Sequence, residues 1–467
     1  MSESNKGNRK NKKNSDVVPK TPIETKSIKE SISHRNSLKR NNNNNKLSVK
    51  VDLSFIDPAH VEFPLNGMKC ILKLHYSGGS DSSFPISLNE NGKYVGIITP
   101  DIKGRNRIIN VILEAYTVCD DIYMVSSYSE EHTMKSNPEK DEDIIVYKVG
   151  CKMERNSIEC IHNFYRLFTT TKDMLGKEVE DKDNGYIGAF AMLIKAASFA
   201  RLQLGVAVGK LKVAIYDEDE IYTSTVEEVT GEDGTKTFEY MKEPVMVLGG
   251  DTHWEPFALY HEYGHYIQHL LLRRIDIKNV APEGSHFPCD ATPQNPTLAF
   301  YEGYANAFSR ILLKEFGHQY IDPYVEITWK SGSYKSLENG FSIEYFFCDK
   351  DKMLTDEGRI AAMIYDLYDS EDDSQQHKEI PNIIEFVGMD EKYHGIDKSW
   401  FGTLQKDNNQ GLEIPFRQLL VDFTSDRGED YNSVKGYINA MRKKISGDQL
   451  EKALDIIRYN YGSDLLQ

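Results

Sequence analysis

His261, Glu262 and His265 stand in the stretch "LYHEYGHYIQH", which runs from Leu259 to His269. On an α-helix, residues four apart lie one above the other on the same face. Two imidazoles so placed can each turn one ring nitrogen to a single Zn²⁺, at about 2.0–2.1 Å. Glu262 is turned about 100° around the axis from His261, which sets it beside such a metal rather than on it. There a carboxylate can take a proton from a metal-activated water and hand it to a leaving amine. The competing reading is a helix with fortuitous histidines, and a third ligand separates the two. A catalytic zinc takes three protein ligands and keeps a fourth position open. "YEGYANAF" supplies Glu302, a carboxylate in an otherwise apolar helical segment, where a lone buried charge is costly. Gly303 beside it lets a neighbouring element approach closely.

The elements that must position these groups follow from periodicity and end signals. Thr252 or Glu255 caps the histidine helix, Pro256 suits its first turn, and Arg273 and Arg274 complement the dipole at its end. In the next helix Asn295 caps, Pro296 takes the first position and Gly317 stops it. "EGRIAAMIYDLYDS" places Ile360, Met363, Ile364 and Leu367 on one face. Upstream, "YIGAFAMLIKAASFARLQLG" reads as a buried apolar helix ended by Gly205, its run broken by Lys195. "KLKVAIYD" and "EPVMVLGG" read as strands, and a strand near the second is a candidate sheet edge for an extended substrate. From Leu412 the chain reads as mostly helical. Between Val51 and Val149, "MKCILKLHY", "YVGIITP" and "RIINVILEAY" alternate or are rich in β-branched residues, with turn signals between them. That spacing suggests a β-sandwich.

Charge divides the chain. The formal charge is -16 over 467 residues, yet residues 1–50 carry about +9 and the remainder about -25. An acidic body argues against nucleic acid as the main partner, while the basic arm can meet anionic partners. The arm lacks hydrophobic periodicity and includes Asn41–Asn45, so it reads as disordered. The polar N-terminus has no apolar signal region, and no run reaches the ~18 apolar residues of a membrane span. The six cysteines (Cys70, Cys119, Cys151, Cys160, Cys289, Cys348) form no CxxC pair. A reducing, cytoplasmic or otherwise intracellular setting is expected from these features.

"HEYGH", then "EGYAN" on the following helix, then "AAMIYDLYD" resembles the gluzincin metallopeptidases. Among them it is most similar to the fungalysin-type group, in which HEYGH is followed by E-G-W-S-D and a downstream aromatic–Asp helix. The resemblance covers roughly residues 180–370. It implies a two-lobed zincin core with the histidine helix on the cleft floor. It further implies His261, His265 and Glu302 as zinc ligands and Glu262 as general base. The group's aspartate four residues after the ligand glutamate is Asn306 here. By the resemblance Asn306 accepts a zinc histidine's ring N–H, but without the charge that raises ligand basicity. Gluzincins also set a downstream Tyr or His against the tetrahedral oxyanion. Tyr365 is the first candidate, with His377 and His394 behind it; the alternative for Tyr365 is aromatic packing. His269 reads as a packing or solvent-facing residue and His253 as a helix-entry residue. "SLNENGKYVGIITPD" with "INVILEAYTVCDDIYMV" resembles transthyretin-like or carboxypeptidase-regulatory-like modules that precede some peptidases.

The expected organisation is a multidomain α+β chain. Residues 1–50 form a disordered basic arm and 51–150 a small β-sandwich. Residues 151–290 form an α/β zincin-like lobe with the HEYGH helix, and 291–467 a helical lobe with the third ligand. The expected activity is zinc-dependent hydrolysis of a peptide or protein substrate, as an endopeptidase. The alternative is a zincin-fold binding protein with little or no turnover.

Overall fold

The computed structural model describes residues 46–56, 61–101, 106–125, 144–154, 156–165, 171–172, 178–179, 182–216, 221–230, 236–249, 256–272, 296–316, 325–326, 335–336, 357–368, 412, 414–425, 433–458 and 466. Residues 1–45, the capping positions Thr252, Glu255 and Asn295, and His253, His377 and His394 lie outside them.

The N-terminal strands are β1 (Leu47–Ile56), β2 (Glu62–Pro64), β3 (Lys69–Tyr76), β4 (Asp81–Ser87), β5 (Lys93–Ile98), β6 (Ile108–Tyr116), β7 (Ile122–Val125), β8 (Val146–Gly150), β9 (Lys152–Met153) and β10 (Ser157–Tyr165). One sheet runs β2-β1-β10-β9, with β5 also on β1, and a second runs β4-β3-β6-β8. Each buries one face, as a period of two demands. Leu47, Val49, Val51 and Leu53 of β1 share an apolar core with Cys70, Leu72 and Leu74 of β3.

This unit does not keep the expected bounds. Strand β1 starts at Leu47, inside the stretch assigned to the arm, because Leu47 and Val49 continue the inward alternation of Val51. At the other end β10 pairs in parallel with β1 from Ser48↔Ser157 to Ile56↔Tyr165, so the sheet runs past residue 150. Cys151 and Cys160, nine residues apart, are disulfide-bonded beside the β9–β10 pair. The expected reducing setting rests on sparse cysteines without CxxC spacing, and a pair nine residues apart lies outside that pattern. Cys70 and Cys119 are buried free thiols.

A pair of two-residue strands, β11 (Thr171–Lys172) and β12 (Glu178–Val179), precedes α1 (Lys182–Phe199), which continues as a π-helical turn to Leu204. Tyr186–Leu204 is long and apolar enough to cross a membrane, but 72% of that window is buried in the fold. A helix hydrophobic all round is a core helix when the protein surrounds it. Lys195 is held between two rings, its ammonium 4.6 Å from the centre of Phe63 and 4.5 Å from that of Phe316.

Strands β13 (Leu211–Tyr216), β14 (Ile221–Thr230) and β15 (Lys236–Gly249) form the third sheet, in the order β14-β15-β13-β7. Strand β7 thus leaves the N-terminal strands around it and pairs in parallel with β13. Met124, Val213, Ile215, Met246 and Leu248 face the main core, and Tyr123, Val125, Ala214, Val245 and Val247 form a small cluster of their own. "EPVMVLGG" lies in β15, between β14 and β13. The edge expected near that stretch falls on its hairpin partner β14, the outermost strand on that side among the described residues.

The histidine helix α2 (Pro256–Leu272) lies next to β14 and β15 and packs on α3 (Pro296–Glu315), which packs in turn on α4 (Glu357–Tyr368). Strands β16 (Val325–Glu326) and β17 (Lys335–Ser336) form a further short ladder. A π-helical turn over Gln418–Asp422, α5 (Phe423–Ser425), α6 (Val434–Lys444) and α7 (Asp448–Ile456) follow. They brace α3: the Tyr304 hydroxyl donates to the Leu420 carbonyl at 2.7 Å and the Tyr437 ring lies 5.7 Å from that of Phe300. The whole is a mixed α/β chain with several sheets and, among the described residues, seven α-helices, organised in more than one unit.

Two glycines set the spacing of the central helices. A Cβ on Gly264 would lie 3.0 Å from the Ala305 Cα and 3.3 Å from the Phe308 Cβ. One on Gly303 would lie 2.6 Å from the Glu357 carbonyl oxygen and 2.7 Å from the Ile360 Cβ. Glycine inside a helix costs about 1 kcal/mol against alanine, and close approach offsets it here. Gly303 admits α4 rather than α2, so the close neighbour expected beside Glu302 is Glu357–Ile360. Gly303→Ala is expected to lower stability by about 1–3 kcal/mol through overpacking. The expected observation is a lower urea midpoint with an unchanged m-value.

Candidate metal centre

Helix α2 carries His261 and His265 on the face toward α3, and Gly264 lets the two helices close until Glu302 reaches both rings. The His261 Nε2 and His265 Nε2 are 3.1 Å apart, and each is 3.1 Å from the Glu302 Oε2. Ligand atoms of one tetrahedral zinc, at bonds of about 2.0–2.1 Å, lie about 3.3 Å from one another. The three sequence candidates are therefore brought together at the spacing one ion needs, and all three are part-buried or buried.

The outer nitrogens fix which lone pairs point inward. The His261 Nδ1 lies 2.8 Å from the Asn306 Oδ1, and the His265 Nδ1 lies 3.3 Å from the Gln268 Oε1. An amide oxygen only accepts, so each Nδ1 carries the proton and each Nε2 keeps its lone pair for the centre. Two nitrogen lone pairs and a carboxylate oxygen then meet at one point. They repel one another unless a cation or a proton stands between them, and the donor set suits a divalent metal such as Zn²⁺.

Electrostatics agree. Burial pulls the His261 imidazole toward neutrality. The hydrogen bond to Glu302 and the carboxylates of Glu262, Glu302 and Glu357 outweigh it and raise its pKa to about 9. Burial pushes the Glu302 carboxyl up, but the charges and hydrogen bonds of His265 and His261 hold it well below the usual carboxylate range. The pocket thus attracts positive charge, and a proton takes it where no metal does.

Glu262 sits where the helical period sets it, beside the triad. Its Oε2 is buried with no hydrogen-bond partner among the described residues. Its backbone carbonyl accepts from the Thr223 hydroxyl at 3.0 Å, which ties edge strand β14 to the middle of α2. Tyr301 stacks on the His265 ring, with centroids 4.2 Å apart and planes 12° from parallel.

Tyr365 is buried in the seam between α3 and α4, its ring under the Arg310 guanidinium at 5.0 Å. Arg310 lies more than two helical turns beyond Glu302 on α3. His269 is buried one turn beyond His265 and supplies none of the three converging atoms.

Sequence reasoning did not single out Gln268, Thr223, Tyr301 or Glu357. Gln268, three residues after His265 on one helix, was findable from helical spacing. The others reach the site only through tertiary packing.

No family model matches the chain, and no curated protein matches it. Among solved structures the chain is similar to a 9R-lipoxygenase from Cyanothece, at 13% identity and a TM-score of 0.16. The match covers 35% of this chain and 25% of that one, and at this TM-score it carries no argument about fold or chemistry.

Proposed function

We propose that the chain is a zinc metallopeptidase of gluzincin type, hydrolysing a peptide or protein substrate. The observation that carries this reading is the triangle of His261 Nε2, His265 Nε2 and Glu302 Oε2, with edges of 3.1 Å and both outer nitrogens held by amide oxygens. A zinc bound there supplies Lewis acidity, which makes water nucleophilic near neutral pH and polarises the carbonyl under attack. His261, His265 and Glu302 would hold it, the three protein ligands that a catalytic zinc takes.

The remaining steps belong to the protein. Glu262, adjacent and unpartnered at Oε2, takes the proton of the attacking water and delivers it to the leaving amine. No covalent bond to the chain forms, so no nucleophilic side chain is needed. Strand β14, anchored at Glu262 through Thr223 and outermost in its sheet among the described residues, offers its backbone to an extended substrate. In this reading the third sheet and the helices α3 to α7 flank α2 as the two lobes of a zincin core. The two N-terminal sheets are an accessory module, and a basic arm contacts anionic partners.

The zinc content of the purified chain beside that of His265→Ala tests this. About one zinc per chain, lost in the variant, is expected of a site with three protein ligands. A correctly folded native chain that takes up no zinc after reloading overturns the proposal and returns HEYGH to a helix with histidines.

A further inference from the structure

Both ligand histidines are backed by amides, and neither amide is satisfied. Asn306 and Gln268 are 3% and 0% exposed. Each spends its oxygen on an imidazole N–H, and the Asn306 Nδ2 and Gln268 Nε2 are buried without a hydrogen-bond partner among the described residues. A carboxylate at either position has nearly the same shape, accepts the same N–H and leaves no buried donor unmet. The site therefore holds two buried amino groups without partners among the described residues, where the less demanding residue differs only by a negative charge. Around the same point Glu262, Glu302 and Glu357 already place three carboxylates, each buried to 6% exposure or less.

Neutrality is the property that the two amides supply. A carboxylate behind a ligating imidazole raises its basicity and tightens the metal; an amide fixes ring and tautomer without doing so. We infer that Asn306 and Gln268 are positioning residues that keep this site a loosely held, exchangeable divalent-metal centre. The cation equilibrates with the surrounding pool, so occupancy follows free metal rather than being fixed at folding. This inference rests on the metal-centre reading above.

The test is Zn²⁺ affinity of the full-length chain at one fixed pH, by competition with a chromophoric chelator. Wild type is compared with Asn306→Asp, Gln268→Glu and Asn306→Ala, and Co²⁺ substitution reports the ligand geometry. Asn306→Asp is expected to tighten zinc about tenfold or more, with slower release to excess chelator and an unchanged Co²⁺ spectrum. Asn306→Ala is expected to weaken zinc, and aspartate but not alanine at 306 preserves the ring geometry. Gln268→Glu is expected to act in the same direction as Asn306→Asp, and it decides the matter if Asn306→Asp does not fold. Wild-type or weaker affinity in a folded carboxylate variant that still binds one ion overturns the inference while leaving the metal centre intact. No zinc or Co²⁺ uptake by the wild type overturns both.

Discussion

Glu262→Gln is expected to retain zinc at the wild-type level and to lose turnover by about 10²–10⁴-fold, the usual contribution of a positioned general base. Glutamine has nearly the shape of glutamate, and no hydrogen bond to Oε2 from the described residues is given up. The Thr223 contact is to the backbone carbonyl and survives any side-chain change at this position. The loss therefore falls on kcat, since the group acts on a proton in flight and not on the resting substrate. The measurement is kcat and KM on an unfolded protein substrate, with metal content determined on the same preparation. Wild-type cleavage by the variant sinks the assignment of Glu262. A native chain that binds zinc and cleaves nothing moves the weight to a binding protein on the same scaffold.

The sequence showed those parts of the site that lie along one helix, because a helix converts spacing directly into geometry. His261 and His265 needed only the period of 3.6 residues, whereas Asn306 was pointed to by the family resemblance, which sets an aspartate four residues after the ligand glutamate. That Glu302 meets both rings was inferable from a carboxylate in an apolar helix, which has to find a partner. Glu357 and Thr223 could not be found in this way. Their positions depend on how α4 slots against Gly303 and how β14 folds outside β15, and neither packing leaves a local signal. The N-terminal sheets divide along the same line. Alternation in β1 and β3 was legible strand by strand. The parallel pairing of β1 with β10, and the departure of β7 to β13, join segments too distant in sequence for any periodicity to record.

Metal affinity is expected to rise about tenfold per pH unit up to about pH 9 and then level, because the ion has to displace a proton from His261. Without metal, the His261 imidazole is raised from its ordinary 6.5 to about 9, and Glu302 is held well below its ordinary 4.5. A raised imidazole stabilises the fold fully below about 6.5, and that contribution disappears as pH climbs through about 9. A depressed carboxyl stabilises it above about 4.5, and that contribution disappears as pH falls through the lowered value. The metal-free chain therefore has its best site electrostatics between about pH 4.5 and 6.5, where imidazolium and carboxylate face each other. The histidine contribution, on the order of 3 kcal/mol from its displacement, declines toward pH 9. Zinc reverses this order, since it needs the neutral ring that alkaline pH provides. The rise in Tm on adding zinc should thus grow from pH 6 to pH 9. Calorimetric titration in buffers of different ionisation enthalpy should show about one proton released per ion at pH 7. An affinity that stays flat between pH 6 and pH 8 would mean that His261 is already neutral in the metal-free site. In that case the carboxylates of Glu262, Glu302 and Glu357 would not act on its ring with the strength their burial implies.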